Sequence, residues 1–267
     1  MFWKEPAVQL HLSLVLFILF NLTSLCFAIE PPKEPVLRIN AGAHTSTINR
    51  VSADASGEKA LTCSDDKTAR LYNIDSGELL NIFRPPIGSG NEGNLYSCAL
   101  SPDGKIVATG GWTKIGSATG HTIYLFNSSN GMMEQRITGL NNVINHLAFS
   151  YDGQLLTAAV GGKNGIRLYR VRDGKEIARD SDYGDTSYSI DFSPDGRVVS
   201  TSFDGYLRLY NRSFKLTQKV KTPSGKFPFS ARFSPDGSLV ALGYNLSPEV
   251  DIFSGTTLQH KYTADTK

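Results

Sequence analysis

A four-residue turn recurs along this chain at a nearly constant distance, and it limits the folds that the sequence can form. The turn reads SPDG at 101–104, 193–196 and 234–237, SYDG at 150–153, and DASG in a degraded copy at 54–57. In the SPDG copies serine opens the turn, proline fixes φ, and glycine accepts a conformation that a side chain resists. Successive turn glycines are 47, 49, 43 and 41 residues apart, which is the length of a four-stranded unit.

A short apolar strand closes each unit. It reads ARLYN (69–73), IYLFN (123–127), IRLYR (166–170), LRLYN (207–211) and VDIFS (250–254). A unit of this size cannot bury both faces of its small sheet, so the units must stack and share a core. The sequence therefore predicts an all-β fold, a β-propeller of four-stranded blades with about five repeats. We place the repeats at about 43–83, 92–137, 138–179, 183–220 and 221–260 of a propeller that covers 35–267.

The first repeat resembles a WD repeat. In that family a histidine, a serine or threonine, a turn aspartate and a strand aromatic form a buried hydrogen-bond chain that holds the blade rigid. The resemblance assigns this structural role to His44, Ser64, Asp66 and Tyr72. The resemblance implies a propeller of the WD type. It is specific for the fold and much less specific for the function.

The other repeats keep less of that pattern. The fourth retains Asp204 and Tyr210, and the third has Asn164 with Tyr169. The second and fifth have only phenylalanines at the strand position, which cannot donate the terminal hydrogen bond, so we expect those blades to rely on packing. The stretch from residue 35 to 263 is also similar to the propeller of exported bacterial WD-repeat proteins, some of which carry a caspase-like peptidase domain after it.

Residues 1–28 read as a signal peptide. A lysine precedes the apolar run SLVLFILF (13–20), and the segment ends in a small residue, Ala28. A Pro-rich lead, 29–34, follows. We expect an exported chain, periplasmic or extracellular, with no membrane span after cleavage. The alternative is an uncleaved anchor, which N-terminal sequencing of the exported product would distinguish.

Two segments compete for one closing strand. Residues 35–40 read as an outer strand that closes the ring, and residues 256–264 read as a further outer strand that opens another blade. One of them would remain an unpaired edge in a closed five-bladed ring. We therefore expect an incomplete seven-bladed ring, either the N-terminal part of a longer propeller or one that another chain completes. A compact, cooperatively melting monomer in light scattering would contradict completion by another chain.

The rim opposite the SPDG turns carries the longer loops, and we call it the long-loop rim. Loops held on a rigid ring are where binding usually occurs, and aromatic and arginine side chains are the usual anchors of protein interfaces. We expect a protein or peptide partner there. The candidate binding residues are Arg84, Trp112, Lys114, Lys163, Tyr183, Tyr188, Lys226, Phe227 and Tyr244. For each aromatic, packing is the structural alternative: Tyr188 and Phe229 could line the channel wall, and Trp112 could cap its own blade.

Charge and ligand spacing argue against several classes of partner. A net charge of +2 is too weak for a nucleic-acid-binding face. No histidine or cysteine pair has metal-ligand spacing, so no metal and no cofactor are predicted. The aspartates of 180–191 include a glycine at the fifth position of the loop, whereas a calcium loop needs it at the sixth. Cys63 and Cys98 lie in apolar strands of different repeats, and we expect two buried thiols, with a disulfide as the alternative.

No catalytic motif is present: the sequence has no GxSxG elbow and no P-loop. The first hypothesis is therefore a non-catalytic exported scaffold that binds protein or peptide through its long-loop rim. The second is the N-terminal regulatory or substrate-recruiting part of a caspase-like peptidase, which two further repeats and a His/Cys dyad downstream would mark. The third is a propeller enzyme or small-ligand sensor, which polar groups converging around His146 without an exposed rim patch would mark.

Overall fold

The computed structural model describes residues 42–223 and 227–264. The expected signal peptide, the Pro-rich lead, the strand at 35–40 and Lys226 lie outside the described residues. The first ten strands are β1 (Ile48–Ala53), β2 (Lys59–Ser64), β3 (Ala69–Asn73), β4 (Leu79–Phe83), β5 (Leu95–Leu100), β6 (Ile106–Gly111), β7 (His121–Asn127), β8 (Met133–Leu140), β9 (Ile144–Phe149) and β10 (Leu155–Val160). A 3₁₀ turn, Gly162–Asn164, follows. The other ten are β11 (Ile166–Arg170), β12 (Lys175–Asp180), β13 (Ser187–Phe192), β14 (Val198–Ser202), β15 (Tyr206–Tyr210), β16 (Leu216–Lys221), β17 (Pro228–Phe233), β18 (Leu239–Tyr244), β19 (Val250–Ser254) and β20 (His260–Ala264).

These strands form five antiparallel sheets, each of four consecutive strands. We number them sheets 1 to 5 in chain order. The predicted all-β propeller fold with four-stranded blades is confirmed. The segment 256–264 contains an outer strand, but it does not open a further blade: β20 pairs with β19, from Val250 opposite Ala264 to Phe253 opposite His260, and so completes sheet 5.

The repeated turns have one geometry. In the four SPDG or SYDG copies the glycine amide donates to the carbonyl of the first serine at 2.8 to 2.9 Å. The glycine φ angles there lie between 67° and 86°, which is the left-handed region that glycine enters without steric cost. The serine hydroxyl of each turn also donates to the aspartate two residues later, at 2.5 to 2.7 Å. The turn is thus fixed by three of its four residues.

Acid is expected to destabilise the protein steeply below about pH 4. The hydrogen bond from the turn serine lowers the pKa of Asp103, Asp152, Asp195 and Asp236, and for the last two to about 2. An unfolded aspartate titrates near a pKa of about 3.9. Because the folded values are lower, the stabilisation is complete above about pH 4 and is lost as the pH falls towards about 2.

Urea unfolding midpoints measured between about pH 5 and about pH 2 test this expectation. Asp236→Asn should have a lower midpoint at the higher pH and a weaker pH dependence than the unmodified chain. A midpoint that stays constant down to about pH 2 would contradict the role of the turns.

The core lies between neighbouring sheets. Four apolar clusters fill the interfaces between sheets 1 and 2, 2 and 3, 3 and 4, and 4 and 5. Cys63 and Cys98 are free thiols in the first of these clusters, and burial raises the pKa of the Cys63 thiol. Each sheet therefore packs on the next, as the repeat length requires.

The two end sheets are the most open. Val51 on β1 is 62% exposed and Tyr262 on β20 is 54% exposed. Within residues 42–223 and 227–264, no other sheet packs on the outer face of sheet 1 or of sheet 5. Completion of the ring by further blades therefore stays a proposal.

Candidate functional site

Each inner strand begins with a β-bulge at the same position of the repeat. One residue is skipped in the pairing of the first two strands of every sheet. The skipped residues, each five positions before the first residue of its turn, are Asn49, Tyr96, Asn145, Tyr188 and Phe229. A bulge redirects the side chain that it carries, so the repeat presents one redirected side chain per blade at the long-loop rim.

Two of these side chains join neighbouring blades. The amide of Asn49 donates to the carbonyl of Leu95 at 3.0 Å, and that of Asn145 donates to the carbonyl of Ser187 at 3.0 Å. In sheets 4 and 5 the bulge residue is aromatic, Tyr188 or Phe229, and has no side-chain amide to donate such a hydrogen bond. The rim between these two sheets is therefore built from rings.

Four aromatic side chains, Tyr188, Phe203, Phe227 and Phe229, form what we call the aromatic patch. The Tyr188 ring centroid lies 4.1 Å from that of Phe203 and 5.2 Å from that of Phe229, and the Phe203 and Phe227 centroids are 5.0 Å apart. Phe203 belongs to the turn between β14 and β15. Phe227 is 41% exposed and the other three are half-buried. The patch is an apolar surface beside the channel mouth.

The backbone of the patch is held in an unusual conformation. Phe227 has a φ of 48°, which is rare for a bulky residue, and its carbonyl accepts a hydrogen bond from the amide of Asn245 at 3.1 Å. Burial, and then the nearby Asp185, raise the pKa of Tyr188. The patch thus combines a fixed aromatic surface with an exposed acidic neighbour.

The structure brings together only two of the predicted rim residues, Tyr188 and Phe227. Trp112, 40% exposed, lies over sheet 2 with its ring edge-on to His121 at 6.0 Å, and Lys114 is exposed on the same insertion. Lys163 is exposed in the 3₁₀ turn, and Arg84 is half-buried after β4. These four residues lie apart from the patch along sheets 1 to 3.

Tyr244 and Tyr183 are engaged inside the fold. The Tyr244 hydroxyl donates to the buried Asp251 at 2.5 Å. Tyr183 is only 4% exposed, so its prediction as a partner-binding residue is wrong. Its hydroxyl lies 2.5 Å from that of Ser200 and 3.0 Å from that of Tyr210, which gives it the position that histidine has in a WD hydrogen-bond chain.

In sheet 4 this chain of hydrogen bonds extends to charged side chains. Tyr210 donates to Asp180 at 2.6 Å. Arg208 pairs with Asp204 at 2.6 Å and lies 3.9 Å above the ring of Tyr183. Burial opposes ionisation of Asp204, but the hydrogen bonds from Arg208 and from the backbone amides of Gly184 and Tyr206, together with the charge of Arg208, outweigh it and lower the pKa of that carboxyl. Asp204 and Tyr210, the two residues predicted for this hydrogen-bond chain, therefore have different partners: Asp204 pairs with Arg208, and Tyr210 donates to Asp180.

Sheet 1 shows a shorter chain than predicted. His44 Nδ1 lies 2.8 Å from Asp66, and its Nε2 lies 2.8 Å from the hydroxyl of Thr62. Thr62 thus has the place that was expected for Ser64, whose hydroxyl instead accepts from the Asp66 amide. Thr62 and Ser64 lie on the same face of β2, but Thr62 is the one that contacts the histidine, whereas Ser64 lies at the end of the strand and closes the turn. Tyr72 is half-buried, and no residue of the described chain hydrogen-bonds to its side chain.

The channel contains titratable groups. A cavity of about 350 Å³ is lined by the inner strands of all five sheets and includes His146, Asp191 and Arg232. Burial and the positive charge of Arg232 lower the pKa of His146 well below its usual range. Its ring nitrogens face the Ile190 amide and the Arg232 guanidinium, each at 3.1 Å. In the described structure, neither nitrogen contacts a hydroxyl or thiol that it could activate as a nucleophile.

Residues 42–223 and 227–264 contain no group of three or more histidine, cysteine, aspartate or glutamate residues placed to hold a metal ion. Their helical content includes nothing long and apolar enough to cross a membrane.

The comparison with known families agrees with the architecture. Three segments, 35–73, 81–127 and 182–211, match the family described as WD domain, G-beta repeat. The chain is a WD-repeat protein. The matched segments of this WD-repeat protein include strands of the first, second and fourth blades.

Several curated proteins resemble the WD-repeat protein. A WD repeat-containing protein of Synechocystis sp. is 30% identical over 158 residues, covering 58% of this chain and 42% of that protein. Pre-mRNA-processing factor 19 of Oryza sativa is 26% identical over 205 residues, 75% of this chain and 37% of that one. Small ribosomal subunit protein RACK1 of Caenorhabditis elegans is 27% identical over 190 residues, 66% and 54% respectively. The chain thus spans about half or less of the length of these relatives.

Two residues of the patch, Phe203 and Phe229, were not predicted as binding residues, although the sequence pattern could have identified Phe229. Phe229 stands five positions before its turn, as Tyr188 does, so the fixed spacing identifies both as bulge residues. Phe203 immediately precedes the turn aspartate Asp204. Its contact with Tyr188 follows from the pairing of β13 with β14, in which Ser187 lies opposite Ser202, and local sequence does not show that register.

Proposed function

We propose that this protein is an exported, non-catalytic scaffold that binds a segment of a partner protein at the aromatic patch. WD-repeat proteins generally act as protein-interaction scaffolds. The observation that supports the patch is the convergence of four rings, one of them 41% exposed, at the rim where loops of a propeller are free to bind. Aromatic side chains anchor interfaces because each buries a large area at low entropic cost.

The chemistry around the patch favours one kind of occupant. The rings offer contacts to an apolar side chain, and the exposed Asp185 beside Tyr188 favours a neighbouring positive charge. The proposed ligand is therefore an extended peptide segment with an apolar anchor and an adjacent lysine or arginine. A substrate-recruiting module of a peptidase would use the same surface, since it too must hold a peptide at this rim.

The channel favours this scaffold over an enzyme. Charged groups do converge around His146, as the sensor hypothesis required, but the exposed rim patch that it excluded is also present. His146 is kept neutral and contacts donors on both sides. A general base needs an acidic hydrogen within reach, and the described contacts of His146 offer none from a nucleophile.

A random peptide library panned against the full chain tests the patch. We expect enriched peptides to combine an apolar and a basic residue, and Phe203→Ala and Tyr188→Ala each to weaken them about 10- to 100-fold, the effect of losing one buried aromatic contact. Trp112→Ala, an exposed aromatic on the same rim, is the matched control and should bind normally. Equal losses in all three variants, or peptides indifferent to Phe203, would overturn the site. Export is tested separately by cell fractionation, and retention of the intact leader in the cytosol would contradict it.

A further inference from the structure

A polar groove between sheets 2 and 3 lies apart from the aromatic patch. It has a volume of about 320 Å³ and is lined by Arg136 of β8, Arg167 and Tyr169 of β11, and Glu176 and Arg179 of β12. The strands come from two different repeats, so the groove exists only because the two sheets pack. Its volume is at the lower end of the range for small-molecule sites.

Positive charge is in excess in this groove. Arg179 pairs with Glu176 at 2.5 Å, and Arg167 lies 3.9 Å from the other oxygen of the same carboxylate. Arg136 has no carboxylate partner in the described structure, and its guanidinium contacts only the Met133 sulfur. Two guanidinium groups therefore share one carboxylate and the third has none, so the lining has a formal charge of +2.

Arg167 is fixed before any ligand arrives. It is 7% exposed, and its guanidinium donates to the carbonyl of Asn164 at 2.6 Å and to that of Ile166 at 3.2 Å. A guanidinium held in one geometry loses little entropy when it binds an anion. The groove thus has one rigid cation and two more mobile ones, since Arg136 and Arg179 are exposed.

Tyr169 is an unpartnered polar group at the same place. Its side chain is 3% exposed and lines the groove, yet no hydrogen bond to its hydroxyl exists among the described residues. Burial raises its pKa, so the hydroxyl keeps its proton. At the equivalent strand position of sheet 4, the Tyr210 hydroxyl has both Asp180 and Tyr183 as partners. The Tyr169 hydroxyl lines the groove, and no described side chain competes for it, so it is a donor available to a ligand.

We propose that the groove binds a phosphate monoester. Arginine is the preferred residue for bidentate recognition of phosphate, and a lining charge of +2 matches the dianion better than it matches a single carboxylate. Arg136, Arg167 and Arg179 surround the phosphate, and Tyr169 donates to one of its oxygens. The phosphate belongs either to a phosphorylated residue of a protein or to a free small molecule, and both sources have this chemistry.

Titration calorimetry of the full chain at fixed ionic strength tests the proposal. The probes are inorganic phosphate, O-phosphoserine, a short phosphoserine peptide and its unphosphorylated twin. We expect the phosphate-bearing probes to bind and the twin not to bind, with tighter binding at neutral pH than below the second phosphate pKa of about 6. A phosphopeptide that binds at least about tenfold more tightly than inorganic phosphate identifies a protein source, and equal affinities identify a small phosphate.

Four variants, two in the groove and two outside it, make the outcome specific. Arg136→Gln should weaken phosphate binding about tenfold or more, and Tyr169→Phe should weaken it about three- to tenfold because only the hydroxyl is lost. Arg172→Gln, an exposed arginine outside the groove, and Phe203→Ala in the aromatic patch should leave it unchanged. Absence of binding by every phosphate probe, or an equal loss in Arg136→Gln and Arg172→Gln, would overturn the site without affecting the patch.

Discussion

Replacing Asp204 with alanine is expected to destabilise the protein by about 3 to 5 kcal/mol, which is the usual cost of removing one partner of a buried ion pair. Arg208 is fully buried and depends on Asp204 for two of its hydrogen bonds, at 3.2 and 2.6 Å. Without the carboxylate, the guanidinium keeps its contacts with the Asp182 carbonyl and with the rings of Tyr183 and Tyr206. An unpaired buried charge remains, and the folded state cannot expel it without opening the blade.

An aspartate in the neighbouring loop between β12 and β13 provides a matched control. Asp182 also pairs with a cation, Lys219 at 2.9 Å, but its side chain is 78% exposed. Exposed pairs contribute little because water screens them, so Asp182→Ala should leave the urea midpoint almost unchanged. Urea unfolding of the three chains measures the difference. If Asp204→Ala also leaves the midpoint unchanged, the Arg208 pair does not stabilise sheet 4.

The fold could be predicted because its determinants are local. Serine, aspartate and glycine of each SPDG turn act on one another within four residues, and the apolar strand that follows alternates with period two. The spacing of the turn glycines then gives the size of each sheet without any knowledge of long-range contacts. The order of strands in all five sheets follows directly, since each sheet uses consecutive strands.

The candidate sites depend on contacts between repeats, and these could be predicted only in part. Tyr188 and Phe227 were predicted as exposed aromatics. Their common neighbour Phe203 was not, because the turn that contains it is explained by its structural role alone. Tyr183 looked like a loop residue because its loop is long and acidic, whereas its ring supports Arg208. The decisive distances join side chains 15 to 24 positions apart whose approach is set by packing.

The phosphate groove could not be predicted from the sequence. Arg136 belongs to the repeat before that of Arg167 and Arg179, and each alone reads as an ordinary charged residue of a strand. Only the packing of sheet 2 on sheet 3 places Arg136 of β8 beside the strands of sheet 3. Tyr169 was recognised as the strand aromatic of the third repeat, but the sequence does not show that its hydroxyl lacks the partners that Tyr210 has in sheet 4.

Tyr210→Phe is expected to cost about 1.5 to 3 kcal/mol, the range for a hydrogen bond to a charged group. The Tyr210 hydroxyl is fully buried, donates to Asp180 at 2.6 Å and lies 3.0 Å from the Tyr183 hydroxyl. Burial raises its pKa, so it remains a donor at every pH at which the protein is folded. Its removal leaves the Asp180 carboxylate and the Tyr183 hydroxyl each with one partner fewer, while the packing against Phe214 is retained.

Tyr169→Phe is the control that distinguishes the loss of these hydrogen bonds from the loss of any buried tyrosine hydroxyl. The two tyrosines have the same strand position in neighbouring sheets, and both are buried, but only the Tyr210 hydroxyl is hydrogen-bonded. Removing the Tyr169 hydroxyl, which lines the groove, should leave the free energy of unfolding almost unchanged, because no hydrogen bond within the described structure is lost. Equal urea midpoints for the two variants would mean that the Tyr210 network adds nothing to packing, and a large loss in Tyr169→Phe would mean that its hydroxyl already has a partner in solution.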